Sequence, residues 1–222
     1  MIKAVIFDMD GLLIDSEPLW FRAHKKVFGE LGVPFTAEDH RGMMGRRTPE
    51  VVAEVYREKP WKGLTQRQVS DMIEDEAAWL IKSEGTLKPG VRHTLSVCSK
   101  AGVPLAIASS SPHKIIDAVV DTLEIRGHFS HIYSARSEPY GKPHPGVFIR
   151  VAEHFKVEPH ECLVFEDSPA GILAAKAAGM ICVAVPEAAT KNHSFTQTAD
   201  VVLDSLEEFD EQLLKRLGGA DV

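Results

Sequence analysis

Four short stretches of this chain carry residue types that could do chemistry together. The first is Asp8-Met-Asp-Gly11, with two carboxylates separated by one residue. The second is Ser109-Ser110-Ser111, the third is Gly141-Lys142-Pro143, and the fourth is Glu166-Asp167. Carboxylates gathered in one place repel and raise each other's pKa, and a divalent cation removes that conflict. Oxygen ligands on one or two carboxylates match Mg²⁺. A lysine and several hydroxyls are donors suited to phosphate oxygens, and lysine with a hard cation around a phosphoryl group stabilises transferred charge. In such a setting one carboxylate can attack phosphorus. A second acid two residues along can protonate the leaving oxygen and later activate water.

These stretches converge only if the fold brings them to one rim. Each follows, or lies near, a short apolar run. Lys3–Asp8, Val103–Ala108, Cys162–Glu166, Ile181–Val185 and, more weakly, Asp200–Leu203 read as buried strands. Runs apolar on both faces suit a parallel sheet covered by helices, which gives an α/β, doubly wound architecture. Helical segments alternate with the strands. Ser16-Glu17-Pro18, Ser111-Pro112 and Ser168-Pro169 each place a hydroxyl just before a first-turn proline, so all three read as helix caps. Assigning Ser111 to a cap leaves Ser109 for a ligand. Ligands in such sheets bind beyond the carboxyl ends of the strands, where the four stretches lie.

The alternation fails across residues 16–85, which lack strand runs and carry helical spacing, as in Val51-Val52-Val55 and Met72-Ile73-Trp79-Leu80. Lys59-Pro-Trp-Lys-Gly63 breaks that segment. The expected division is therefore a core of residues 1–15 and 86–222 with an all-helical cap domain, 16–85, inserted after the first strand.

Asp8-Met-Asp-Gly-Leu-Leu-Ile-Asp-Ser16 resembles the first motif of the haloacid dehalogenase superfamily. Ala108–Ser111 resembles the second motif, Gly141-Lys142-Pro143 the third and Phe165–Ser168 the fourth, all in order. The resemblance spans essentially the whole chain and implies a Rossmann-like core. It also implies roles. Asp8 would be nucleophile and metal ligand. Asp10 would be general acid/base, with its carbonyl on the metal. Ser109, Ser110 and Lys142 would hold phosphoryl oxygens. Asp167 would complete a Mg²⁺ site, with Glu166 as a further candidate ligand. The namesake dehalogenases lack the second acid, so Asp10 favours phosphate chemistry. Within the superfamily the chain is similar to sugar-phosphate phosphatases, 2-deoxyglucose-6-phosphate and phosphorylated-carbohydrate phosphatases among them. The resemblance also admits pseudouridine-5′-phosphatases and β-phosphoglucomutases. The mutases carry a cap histidine where Trp20 aligns here. A receiver-type signalling module uses related residues but places its acceptor acid elsewhere.

The bulk numbers agree with a globular enzyme. The chain has 222 residues, a formal charge of −7 and 44% hydrophobic residues. An acidic balance argues against nucleic acid or an anionic membrane as partner, and no apolar run approaches a membrane span. Three cysteines with no C-x-x-C pair suit a reducing, cytoplasmic setting. The expected partner is a small phosphomonoester, and the expected state is a monomer. The ten histidines are scattered and none shows zinc-ligand spacing. Trp61 and Trp79 read as cap packing and His144 as structural or solvent-facing, whereas Arg46 or Arg47 could reach a substrate.

Overall fold

The computed structural model describes residues 1–187 and 190–219. At its centre is a six-stranded parallel sheet: β1 (Ala4–Phe7), β2 (Leu105–Ser109), β3 (His131–Ser134), β4 (Cys162–Glu166), β5 (Ile181–Ala184) and β6 (Val201–Val202). The strand order is β3-β2-β1-β4-β5-β6, with every pair parallel. This is a doubly wound order, and its direction reverses between β1 and β4. Register puts Phe7 opposite Ile107 on one side and Phe165 on the other. The carboxyl ends of β1, β2 and β4 therefore share one rim.

The strand apolar runs sort themselves by alternation. Val5, Phe7, Ile107, Leu163 and Phe165 belong to one buried cluster; Ala4, Ile6, Ala106, Ala108 and Val164 belong to the other. Phe7 and Phe165 stack at 4.8 Å between centroids. Two helices cover the small-residue face, α7 (Gly146–Phe155) and α8 (Pro169–Ala177), with Phe148 and Ile172 fully buried. The opposite face takes α5 (Val91–Lys100), α6 (His113–Thr122) and α9 (Glu211–Leu217).

Between β1 and β2 the chain makes four helices before α5: α1 (Glu17–Glu30), α2 (Ala37–Arg41), α3 (Thr48–Glu58) and α4 (Gln66–Glu84). Thr36 with Asp39, and Thr65 with Gln68, close reciprocal caps at the starts of α2 and α4. Helix α4 packs against α1, α3 and the core helix α6. Aromatic rings fill the space under α1. Phe28 lies against Phe35 and Trp61, and Trp61 meets Tyr56 edge-on at 4.7 Å. Trp61 packs as expected, whereas Trp79 lies on the surface, 61% exposed. The two connections to the sheet run side by side. Ile14 bridges Leu87 antiparallel, the Asp15 N–H donates to the Thr86 carbonyl (3.0 Å), and the Lys88 N–H donates to that of Leu13 (3.2 Å).

One strand was not expected from the sequence. His131-Ile-Tyr-Ser134 is an edge strand, with three of its four residues only partly buried, so it has no continuous apolar run.

Candidate active site

Asp8 follows β1 directly, and its backbone N–H donates to the Phe165 carbonyl of β4 (2.9 Å). The β-sheet thus fixes its position at the topological switch point. Lys142, from the loop before α7, reaches in to donate to Asp8 Oδ1 (2.6 Å), Glu166 Oε1 (2.5 Å) and the Ala108 carbonyl (3.2 Å). All three ammonium protons are used. Burial lowers a lysine's pKa, but the two carboxylates outweigh it and hold Lys142 above the ordinary range.

Glu166 is fully buried, and its second oxygen accepts from Asp167 N–H, Ser168 N–H and Ser168 Oγ at 3.0–3.1 Å. It is satisfied within the protein. Its side chain lies over Gly171, where a Cβ would fall 1.7 Å from Oε1; only glycine fits. Ser168 Oγ also accepts from Gly171 N–H and so caps α8 as its sequence implies.

Asp167 differs. Its Oδ1 is buried and has no hydrogen-bond partner among the described residues. Burial, followed by the charges of Glu166 and Asp8, raises its carboxyl well above the usual range. Burial likewise pushes Asp8 up to about 8, against the pull of Lys142. Single oxygens of Asp8, Glu166 and Asp167 lie within 4.8 Å of one another. Two acids whose carboxyls burial pushes up, and an orphaned carboxylate oxygen, are what a divalent cation would relieve, and an all-oxygen donor set suits a hard one. Gly11 keeps the approach clear. Its φ is +78°, and a Cβ there would meet Asp167 Oδ2 at 2.2 Å.

Asp10 stands apart from that cluster, held by three donors. Ser16 Oγ (2.7 Å) and Trp20 Nε1 (2.8 Å) donate to Oδ1, and Ser111 Oγ (2.7 Å) donates to Oδ2. This corrects the reading of two serines. Helix α1 has no side-chain cap bond from Ser16, and α6 begins at His113 after Pro112, so Ser111 is not its cap. Both hydroxyls serve Asp10 instead. The indole of Trp20 is a site group that sequence reasoning missed, because a lone tryptophan one turn into a helix gives no chemical signal of its own.

Ser109 Oγ accepts from Ser111 N–H (3.0 Å), and Ser110 Oγ donates to the Gly45 carbonyl of the insert (2.7 Å). Both line a cavity between the sheet rim and the insert, together with Asp8 and Asp10. Both arginines are paired. Arg46 pairs with Glu54 (2.7 Å); Arg47 pairs with Glu50 and donates to the carbonyls of Ala135 (3.2 Å) and Glu138 (2.9 Å). His144 Nδ1 accepts from Gly146 N–H, a local structural role. Lys88 lies 3.8 Å from half-exposed Asp15.

Comparison with known proteins places this geometry. Residues 2–179 match the family model of haloacid dehalogenase-like hydrolases. The chain is 38% identical over 208 residues to hexitol phosphatase B of Escherichia coli K12, covering 93% of this chain and 94% of that one. It is 33% identical over 182 residues to the phosphorylated carbohydrates phosphatase of Thermotoga maritima, covering 81% and 82%. The crystal structure of CbbY from Rhodobacter sphaeroides in complex with phosphate superposes with a TM-score of 0.86 at 28% identity, covering 94% and 96%. The order of motifs, the sheet that joins them and these likenesses agree: the chain belongs to the haloacid dehalogenase-like hydrolase family.

Proposed function

We propose that this chain is a Mg²⁺-dependent phosphatase of small monophosphate esters, chiefly hexose or hexitol phosphates of the 2-deoxyglucose 6-phosphate kind. The observation that carries the reading is the switch-point cluster: Asp8 beside Lys142, with the unpartnered Oδ1 of Asp167 close by. The names of similar phosphatases support the sugar or polyol moiety.

In this reading Asp8 attacks phosphorus, and the bond to the ester oxygen breaks as the Asp8–phosphorus bond forms. Asp10 gives a proton to the departing alkoxide, then takes one from the water that attacks the aspartyl-phosphate and frees Asp8. Ser16, Trp20 and Ser111 aim Asp10 for both transfers. The Ser111 hydroxyl can rotate to accept once Oδ2 is protonated. Lys142 opposes the burial that raises the Asp8 carboxyl and lies ready to share a donor with a phosphoryl oxygen, alongside Ser109 and Ser110. A Mg²⁺ held by Asp8, Asp167 and the Asp10 carbonyl would supply positive charge to the transferring group. Glu166, already saturated, orients Lys142.

Residues 16–85 act here as a cap domain over a core of 1–15 and 86–222. The cavity beneath it measures about 50 Å³, well below the ~300–1,000 Å³ of ligand pockets. A hexitol phosphate enters only if the insert swings away and closes again. The three free, buried cysteines support a reducing, cytoplasmic setting.

The test is phosphate release from sugar, polyol and nucleoside monophosphates, pseudouridine 5′-phosphate included, with Mg²⁺ and with chelator. Metal-dependent release concentrated on hexose or hexitol phosphates is expected. β-Glucose 1-phosphate converted to glucose 6-phosphate without phosphate release would replace this reading with a mutase. Trp20 argues against that outcome, since an indole bound to Asp10 stands where the mutases carry histidine.

A further inference from the structure

The insert's side of the cavity holds groups that the proposed chemistry does not use. Glu17, His24 and His40 all line it, beside Trp20 and Met44. The His24 ring is 6% exposed, and both its nitrogens lack hydrogen-bond partners among the described residues. Trp20 O, one turn back, is near but makes no aligned bond. A buried imidazole with two idle nitrogens is costly unless something fills its needs. His40 Nε2 stands 2.8 Å from Glu17 Oε2, also without an aligned N–H···O bond. His24 thus keeps both nitrogens, and His40 its Nε2, without an aligned partner among the described residues, at buried positions beside the cavity.

The pattern selects its ligand by chemistry. Burial holds His24 neutral, its pKa pushed down to about 3. It offers one donor and one acceptor. Glu17 accepts, and His40 can do either. A hydroxyl, which both donates and accepts, matches each of them. A second phosphate or a carboxylate does not. Arg46 is the one Arg or Lys lining the cavity among the described residues, and Glu54 already pairs with it. Glu17 would repel a second anion.

We infer that Glu17, His24 and His40 form a hydroxyl-reading subsite in the insert, which selects a neutral polyol leaving group and rejects bisphosphates and phosphocarboxylates. The inference rests on the phosphatase reading and specifies what that site accepts. The three residues touch substrate, not the reacting atoms, and so act in specificity.

The experiment compares kcat/KM on a hexitol 6-phosphate with that on p-nitrophenyl phosphate, which has no hydroxyls, for wild type, His24→Phe and Glu17→Gln. A phenyl ring in place of the His24 imidazole would join Phe28 and Phe35 in the same aromatic box, so the fold tolerates it; the melting temperature checks this. Each variant should lower the hexitol-to-nitrophenyl ratio about tenfold or more. Hexose 1,6-bisphosphate should be a poorer wild-type substrate than hexose 6-phosphate. Variants that keep the wild-type ratio, or a bisphosphate turned over as well as the monophosphate, would overturn the subsite alone. Wild-type protein that cleaves neither monoester would overturn the phosphatase reading, and the subsite with it.

Discussion

The sheet rim and the insert face each other across one cavity, but they are finished to different degrees. On the rim nearly every polar atom is spoken for: Lys142 uses three donors, Glu166 is saturated and Asp10 takes three hydrogen bonds. Among the described residues one fully buried rim oxygen, Asp167 Oδ1, is left without a partner. On the insert, His24 has no partner among the described residues and His40 only a misaligned one. A closed network resists change and holds charge in place. An open one waits for a ligand. Under the proposed function, shared chemistry falls to the rim and choice of substrate to the insert.

Breaking the rim should therefore cost the most. Asp8→Asn should lower kcat about 10⁴-fold or more on every ester, because an amide is a poor nucleophile. Phosphate release from a variant with unchanged circular dichroism measures this. Residual turnover above about one-hundredth of wild type would sink the covalent scheme. Asp167→Asn removes the charge of the orphaned carboxylate. It should raise the Mg²⁺ needed for half-activity by about 10–100-fold, read from a metal titration; an unmoved midpoint removes Asp167 from the metal shell.

Trp20→Phe tests the seam between the two regions, because an insert residue holds a rim acid. A hydrogen bond to a carboxylate contributes about 1.5–3 kcal/mol, so kcat should fall about tenfold or more while KM changes little. A KM effect alone would make Trp20 a substrate contact and not a positioning residue.

The smallest effect lies within the insert. His24 titrates near 6.5 when unfolded and at about 3 when folded. Below pH 6.5 the unfolded chain takes up a proton that the native chain refuses. This group's contribution is thus intact at neutral pH and declines as pH falls, by about 1.4 kcal/mol per unit. Glu17 and His40 face the same ring cluster and remain in the variant. In urea melts between about pH 6 and 4, His24→Phe should lose stability less steeply than wild type. Parallel slopes would mean that His24 is solvated in the folded protein.

How much of this was legible in the sequence follows the same divide. The rim was legible because its residues sit at the ends of apolar runs, in short motifs set by backbone geometry. Asp8, Lys142 and Asp167 meet as those motifs imply. Ser16 and Ser111 were misread because a hydroxyl just before a proline has the pattern of a cap whether or not it caps, and only the third dimension reveals Asp10 as its partner. Strand β3 escaped notice because an edge strand shielded on one face keeps polar residues. The subsite of Glu17, His24 and His40 has no motif at all. It arises from α1 and α2 packing together, and helical periodicity reports that a residue faces inward without saying what it meets there.

The placement of β1 has a consequence for how the protein comes into being. Val5 pairs with Leu105 and with Leu163, so the central strand waits for partners made long after it leaves the ribosome. Contacts so distant along the chain form slowly, because loop closure precedes their reward. The helices between them are local and can condense first. Until β4 docks, Asp8 has neither Phe165 to hold its backbone nor Asp167 beside it. A nascent chain that ends before β4 would thus lack the Asp8–Glu166–Asp167 cluster, and, on the proposed function, the first detectable turnover during refolding would time the closure of the sheet.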